Sequence, residues 1–211
     1  MPPKPKFTRE EMIEAAIEIV RREGEDALTA RNLGSYLSAS ARPIFTVFES
    51  MDEVREAVKE RAHEIFMKYR EKMCDELGYP RYKAIGKAYI RFACEEKMLF
   101  RLLFMCERPR AGMEENEGYD AQVRQIIEEQ TGFSEEKGSL FHRENWIFVY
   151  GIAVMMATSY FQWDDALVDR MLSDVYAGLK MRHLQDEEEL EREKRELEKI
   201  KKAYDESHSR H

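Results

Sequence analysis

Glycine and proline are scarce in this chain, with 10 and 6 among 211 residues. That scarcity argues against turn-rich β architecture, because tight turns draw on the positive φ of glycine and the fixed φ of proline. The period-two alternation of a half-buried strand is equally hard to find. Cysteine is limited to Cys74, Cys94 and Cys106. An odd number at wide spacing builds neither a disulfide framework nor a zinc site, so reduced, buried or half-buried thiols of an intracellular protein are expected. Long apolar runs are missing too. The most apolar stretch, Trp146 to Phe161, is too short and too interrupted by polar groups to cross a bilayer. The N-terminal arm Met1-Pro-Pro-Lys-Pro-Lys lacks the apolar segment of a signal peptide. A soluble cytoplasmic protein with no membrane partner is expected.

What the chain does have is charge and enough apolar residues for a core. Hydrophobic residues make up 43% and charged residues 36%, the latter above the usual quarter or so. The length allows one large domain, or a small one followed by a larger one. The net charge of -8 and pI of about 5.4 exclude a protein that coats nucleic acid nonspecifically. They leave room for a specific reader with a small local footprint.

The helices announce their own starts. Thr8-Arg9-Glu10-Glu11 is a capping box. Ile13, Ala16, Ile17 and Val20 then share one helix face, and Gly24 stands where a helix ends. Thr29 caps a second helix over about 30–37, with Leu33, Tyr36 and Leu37 as its apolar members. After two or three residues around Ser38 and Ala39, a third helix is expected, with Ser40 as its cap and Pro43 in its first turn. Ser50-Met51-Asp52-Glu53 is a second capping box and opens a long helix that ends near Gly78-Tyr79-Pro80. Helical patterns follow at about 82–96 and 97–107, then a looser stretch from Pro109 to Gly118. Further helices are expected at about 119–131, 135–160 and 164–181. The segment 184–205 is nearly all charge. Glu188/Arg192, Glu191/Arg195 and Glu198/Lys202 are favourable i,i+4 pairs on a solvated helix or frayed tail. The heptad spacing of Leu190, Leu197 and Tyr204 is too thin for a coiled-coil seam.

The informative region is Thr29 to Phe48, a short helix, a tight turn and a second short helix. That is the helix-turn-helix arrangement, whose second member enters the major groove. Gly34 is small, which lets the two helices cross closely. No acidic residue lies between Asp26 and Glu49 in a chain otherwise rich in them. The window holds Arg31, Arg42, Asn32 and several hydroxyls, groups suited to phosphates and base edges. Lys4 and Lys6 in the N-terminal arm either add phosphate contacts or sit on a floppy tail.

Residues 7–58 resemble the N-terminal domain of the TetR family of regulators. The family pattern is a Thr, a small-residue turn, a Ser-containing helix with an aromatic pair, and a Lys-bearing turn into a long helix. This chain reads Thr29-Ala-Arg-Asn-Leu-Gly-Ser-Tyr-Leu-Ser-Ala-Ser-Ala-Arg-Pro-Ile-Phe-Thr-Val-Phe-Glu-Ser-Met-Asp-Glu-Val. It departs from the pattern in three places. Leu37-Ser38 stands for the usual Ala-Gly, Phe45 for a Tyr whose hydroxyl commonly contacts phosphate, and Met51 for a Lys. The helix around Gly151 also resembles one in the family's ligand domain.

The resemblance implies an all-α fold: an N-terminal three-helix helix-turn-helix domain (1–50), a larger helical effector-binding and dimerisation domain (51–182), and a charged helical or disordered tail (183–211). It implies a ligand-responsive repressor that binds double-stranded DNA as a homodimer on a near-palindromic operator. Carried over by position, Thr29 and Arg31 approach the DNA backbone, while Ser40, Ala41, Arg42 and Thr46 face the groove. Arg42 is the best placed for guanine, and Phe45 packs against a sugar-phosphate or the domain core. Phe100, Phe104, Met105, Trp146, Tyr150 and Met155 are the candidates to line a cavity for an unidentified small-molecule effector, ordinary core being the alternative for each. Arg101, Tyr89, His142 and Asn145 are candidates to orient it. The dimer surface is expected on helices 140–160 and 164–181, with Gly151, Ala153, Ala157 and Ser159 allowing close packing.

An enzyme reading finds less support. Glu60-Arg-Ala-His63 has di-iron ligand spacing, but its only counterpart, Asp205 to His208, lies in the polar tail. His63 is expected at the surface or in an interface, and no catalytic group, metal ligand or cofactor is expected. The remaining alternative keeps the fold but drops DNA: a helical ligand-binding or interaction module.

Overall fold

The computed structural model describes residues 7–106 and 120–208. The arm bearing Lys4 and Lys6 and the looser stretch from Pro109 to Gly118 lie outside these residues. Among the described residues every regular element is helical: α1 (Arg9–Glu23), α2 (Ala30–Tyr36), α3 (Met51–Leu77), α4 (Arg81–Glu95), α5 (Lys97–Phe104), α6 (Ala121–Thr131), α7 (Glu135–Ala157) and α8 (Asp165–His208), with 3-10 turns at Glu25–Ala27 and Ile44–Thr46. None of these helices is long and apolar enough to cross a membrane.

Local chemistry sets the helix starts. The Thr8 hydroxyl accepts from Glu11 N–H at 3.1 Å, and Thr8 N–H donates to the Glu11 carboxylate at 2.8 Å. These two bonds satisfy orphan donors at both ends of the first turn. Gly24, at φ 89, donates to the Val20 carbonyl and ends α1. Ser50 accepts from Glu53 N–H at 3.2 Å. Its box closes one residue further out than expected, because the Glu53 carboxylate accepts from Glu49 N–H at 2.7 Å. Asp120 caps α6 through Val123 N–H at 2.9 Å.

The chain forms two compact units. The first comprises the described residues up to Cys106 together with Val149–Trp163. In it α1 packs against α2, α3 and α5, and α3 packs against α4 and α5. Met12, Ile17, Leu33, Ile44, Val54 and Val58 are at 0% exposure in its core. Ile13, expected on the buried face of α1, is only half-buried, and Met12 takes the central place. The second unit comprises Asp120–Phe148 and Asp164–His208. Its core holds Val123, Ile127, Phe133, Phe141 and Val168. Lys180 donates to the Gln130 carbonyl at 2.7 Å, placing a cation on the negative end of α6.

Two elements differ from their expected form. The helix expected over 164–181 does not stop there: α8 runs unbroken from Asp165 to His208 through the charged segment. Glu191 pairs with Lys194 at 3.0 Å rather than with Arg195, which donates to the Glu191 carbonyl instead. The third helix of the head is not an α-helix but a 3-10 turn at Ile44–Thr46. Ile44, Thr46 and Val47 each donate to the carbonyl three residues back. Pro43 fits either form, because the N–H it lacks is an orphan in the first turn of any helix. The Thr46 hydroxyl donates to the Pro43 carbonyl at 2.6 Å and competes for the same acceptor.

Candidate functional site

The turn between α2 and Ile44–Thr46 is held by bonds that leave little freedom. Ser38, at φ 52, takes the left-handed position that ends α2. Ser38 N–H donates to the Ser35 carbonyl at 3.1 Å and Ala39 N–H to the Gly34 carbonyl at 2.9 Å. Together they form a Schellman ending with serine where glycine is usual. Gly34 sits directly beneath the turn. A Cβ there would lie 3.0 Å from the Ser40 carbonyl carbon and 3.1 Å from Ala39 O and Ala41 N. The smallness expected of Gly34 therefore serves contact with turn backbone rather than with a second helix. Buried Ile44 and Phe48 anchor the far side.

The outward side of this scaffold carries the expected DNA-contacting groups. Thr29, Arg31, Ser40, Arg42, Phe45 and Thr46 are exposed and Ala41 is half-buried. Two hydroxyls have internal duties: Thr29 accepts from Asn32 N–H at 3.2 Å, and Thr46 donates to Pro43. Asn32 donates to the Ala27 carbonyl at 2.9 Å, so its amide braces the loop before α2. Phe45 is 49% exposed, which removes the core alternative for that ring. Tyr36, read as apolar packing in the sequence, is also exposed, at 46%.

At the edge of the surface, one arginine joins an aromatic ring and a carboxylate. The Arg9 guanidinium lies 4.4 Å over the Phe48 ring and 2.7 Å from the Glu53 carboxylate. The Glu49 backbone N–H, and then Arg9, hold the Glu53 carboxyl below the usual range. Nothing in the sequence marks Arg9 for this role, because its partners lie more than 35 residues away along the chain, at Phe48 and Glu53.

The apolar effector candidates divide between the two units. In the first, Phe66 meets Tyr89, Phe92 and Phe104 edge-on, with centroids at 5.8, 5.1 and 5.1 Å. Phe100 and Phe104 pack at 5.2 Å, and the Tyr150 hydroxyl donates to the Phe104 carbonyl at 2.9 Å. Phe104 thus joins Phe66, Phe100 and the Tyr150 hydroxyl. Met105 and Met155 are exposed. Trp146 belongs to the second unit and stacks on His142 with centroids 6.0 Å apart. Two polar candidates are engaged with backbone: Arg101 donates to the Ala157 carbonyl and Asn145 to the Phe141 carbonyl.

Ala153 and Ala157, expected at a dimer surface, are fully buried in the first unit. The core of that unit uses them instead. Among the described residues, the large apolar side chains left exposed on the second unit are Leu140, Ile147, Leu167, Met181, Leu184 and Leu197. His63 is exposed. Among the described residues no three His, Cys, Asp or Glu side chains converge to hold a metal. Cys74 is buried and Cys94 half-buried, as expected of the thiols, whereas Cys106 is exposed. Burial pushes the Cys74 thiol up from its ordinary pKa.

No protein-family model matches the chain, and no curated protein matches it by sequence. Among solved structures, a member of the TetR family from Streptomyces coelicolor A3 matches with a TM-score of 0.57 and 16% sequence identity, covering 82% of this chain and 98% of that one. The likeness is one of fold: an N-terminal helix-turn-helix followed by a helical domain.

Proposed function

We propose that this chain is a TetR-type transcriptional regulator: a cytoplasmic homodimer that represses by binding a near-palindromic operator and responds to a small apolar effector. In this reading residues 1–50 form the DNA-binding head, 51–182 bind effector and dimerise, and 183–211 form a charged tail. The observation that carries it is the outward face of the turn over Gly34. There Arg42, Ser40 and Phe45 are exposed on a braced scaffold with no acid from Ala27 to Phe48. In a chain of net charge -8, such a window is where a duplex can approach without repulsion.

The ring cluster around Phe66 supports an apolar effector site, because aromatics on several elements can repack around a ligand. The exposed Leu140 and Ile147 of α7, with Leu167, Met181 and Leu184 of α8, support a dimer surface on the second unit. Ligand would act by binding the DNA-competent and incompetent dimers unequally. Retarded migration of the DNA upstream of the chain's own gene tests the reading. Arg42→Ala should lose about 1–3 kcal/mol of specific binding and relax specificity at one position.

A second reading draws on a specific observation. A single 3-10 turn stands where an α-helical reader is expected, and Phe45 and Met51 replace a hydroxyl and a cation. A helical ligand-binding module without DNA affinity would share these features. It would retard none of the neighbouring intergenic DNA even at low salt.

A further inference from the structure

Resting on the DNA-binding reading above, we propose that Arg42 and Phe45 act as one reading edge, with Arg42 on a guanine and Phe45 against the 5-methyl group of a thymine within two base pairs of it. The geometry of the turn carries this. Ile44 donates to Ala41, Thr46 to Pro43 and Val47 to Ile44, so a turn over residues 41–44 leads directly into the 3-10 turn Ile44–Thr46. In 3-10 geometry side chains three apart lie one above the other, with a rise of roughly 2 Å per residue.

Three edges result, Pro43 and Thr46 making up one of them, and burial distinguishes the other two. Ala41, Ile44 and Val47 form the inward edge: Ile44 is fully buried and the other two are half-buried. Arg42 and Phe45 form the outward edge, and both are exposed. The run ends at Phe48, which donates to Ile44 four residues back and turns its ring into the core.

The edge is thus one guanidinium and one apolar ring, on a turn braced by Gly34 below and by the Thr46–Pro43 bond. The core anchors, Ile44 and Phe48, are separate side chains, so Phe45 has no packing duty of that kind. Its 49% exposure leaves a large apolar surface in water. In the major groove guanine offers two acceptors side by side to an arginine, and thymine offers a methyl group to an apolar side chain. Three residues of 3-10 rise span about 6 Å, against about 3.4 Å per base pair. The two contacts therefore fall within two base pairs.

The test uses the full chain and a duplex enriched from a randomised pool. That duplex is resynthesised with 2′-deoxyuridine at each thymine in turn, which removes only the methyl group, and with 7-deazaguanine at each guanine, which removes one acceptor. At one thymine the parent chain should bind the deoxyuridine duplex about three- to five-fold more weakly, the worth of one methyl group withdrawn from water. Phe45→Ala should bind the two duplexes equally, and Phe45→Leu should keep part of the difference. At a guanine within two base pairs, 7-deazaguanine should weaken the parent about ten-fold and leave Arg42→Ala unaffected. Equal binding of thymine and deoxyuridine duplexes at every position overturns the proposal. So does a Phe45→Ala chain that still discriminates. If no duplex is enriched or retarded at low salt, the DNA-binding reading falls and the proposal with it, a result distinct from binding without methyl discrimination.

Discussion

Replacing Gly34 by Ala sets two effects of similar size against each other. Alanine is the better helix former, by about 1 kcal/mol, so on α2 alone the change stabilises. Against it stand three backbone atoms, Ser40 C at 3.0 Å and Ala39 O and Ala41 N at 3.1 Å from the new Cβ. Ordinary contacts lie near 3.5–4.0 Å, and overpacking of this kind costs about 1–3 kcal/mol. The sign depends on whether the turn can retreat. It is tied on one side by the Ala39–Gly34 and Ser38–Ser35 bonds, and on the other by the Ile44–Ala41 bond and the buried Ile44 side chain. Retreat breaks one of these, so the clash wins. Gly34→Ala should be about 1 kcal/mol less stable, melting roughly 2–4 °C lower for a chain of this size. Far-ultraviolet circular dichroism during heating, with urea unfolding alongside, reads the change. DNA retardation should weaken in parallel, because Ser40 to Arg42 move with the turn. A Gly34→Ala chain as stable as the parent, or more so, would refute the packing argument.

Ser38→Gly should act oppositely: it relieves the left-handed strain at φ 52 and adds about 1 kcal/mol in urea unfolding. An unchanged or lower midpoint would count against the Schellman ending. Glu53 has a depressed carboxyl pKa in the folded chain. Its contribution is therefore complete above the ordinary glutamate pKa and lost as pH falls through the lowered value. The stability gap between the parent and Glu53→Gln should narrow on acidification, and a gap independent of pH would remove the Arg9–Glu53–Glu49 linkage. Phe66→Ala should cost about 3–5 kcal/mol in urea unfolding, as truncation of a buried ring with several ring neighbours does. A loss below about 1 kcal/mol would mean that Phe66 is not at the centre of the cluster.

Legibility followed the range of the interaction. The Thr8, Thr29 and Ser50 caps act within a few residues along the chain, and their spacing identified the starts of α1, α2 and α3. The acid-free window, the small Gly34 and the all-helical class were likewise readable. The form of the second member of the helix-turn-helix was not. Pro43 suits the first turn of an α-helix as well as it suits a 3-10 turn, and the choice lay with hydrogen bonds local tendencies do not rank. Periodicity also extended the last packed helix only to 181, where apolar residues give way to charge. The backbone continued to 208, because side-chain chemistry changes there but helix propensity does not.

Residue types alone determined that this protein is helical, where most helices begin, and where a negatively charged chain keeps a surface free of acid. Tertiary structure decided which side chains were spent on the core. Phe45 faces water and Phe48 the interior, three residues apart; Ala153 and Ala157 are buried, whereas Met105 and Met155 are not. Arg9 reaches Phe48 and Glu53 only through the fold. Capping is a contest among neighbours in sequence. Burial is a contest among all the surfaces the folded chain brings together, and no local pattern contains its outcome.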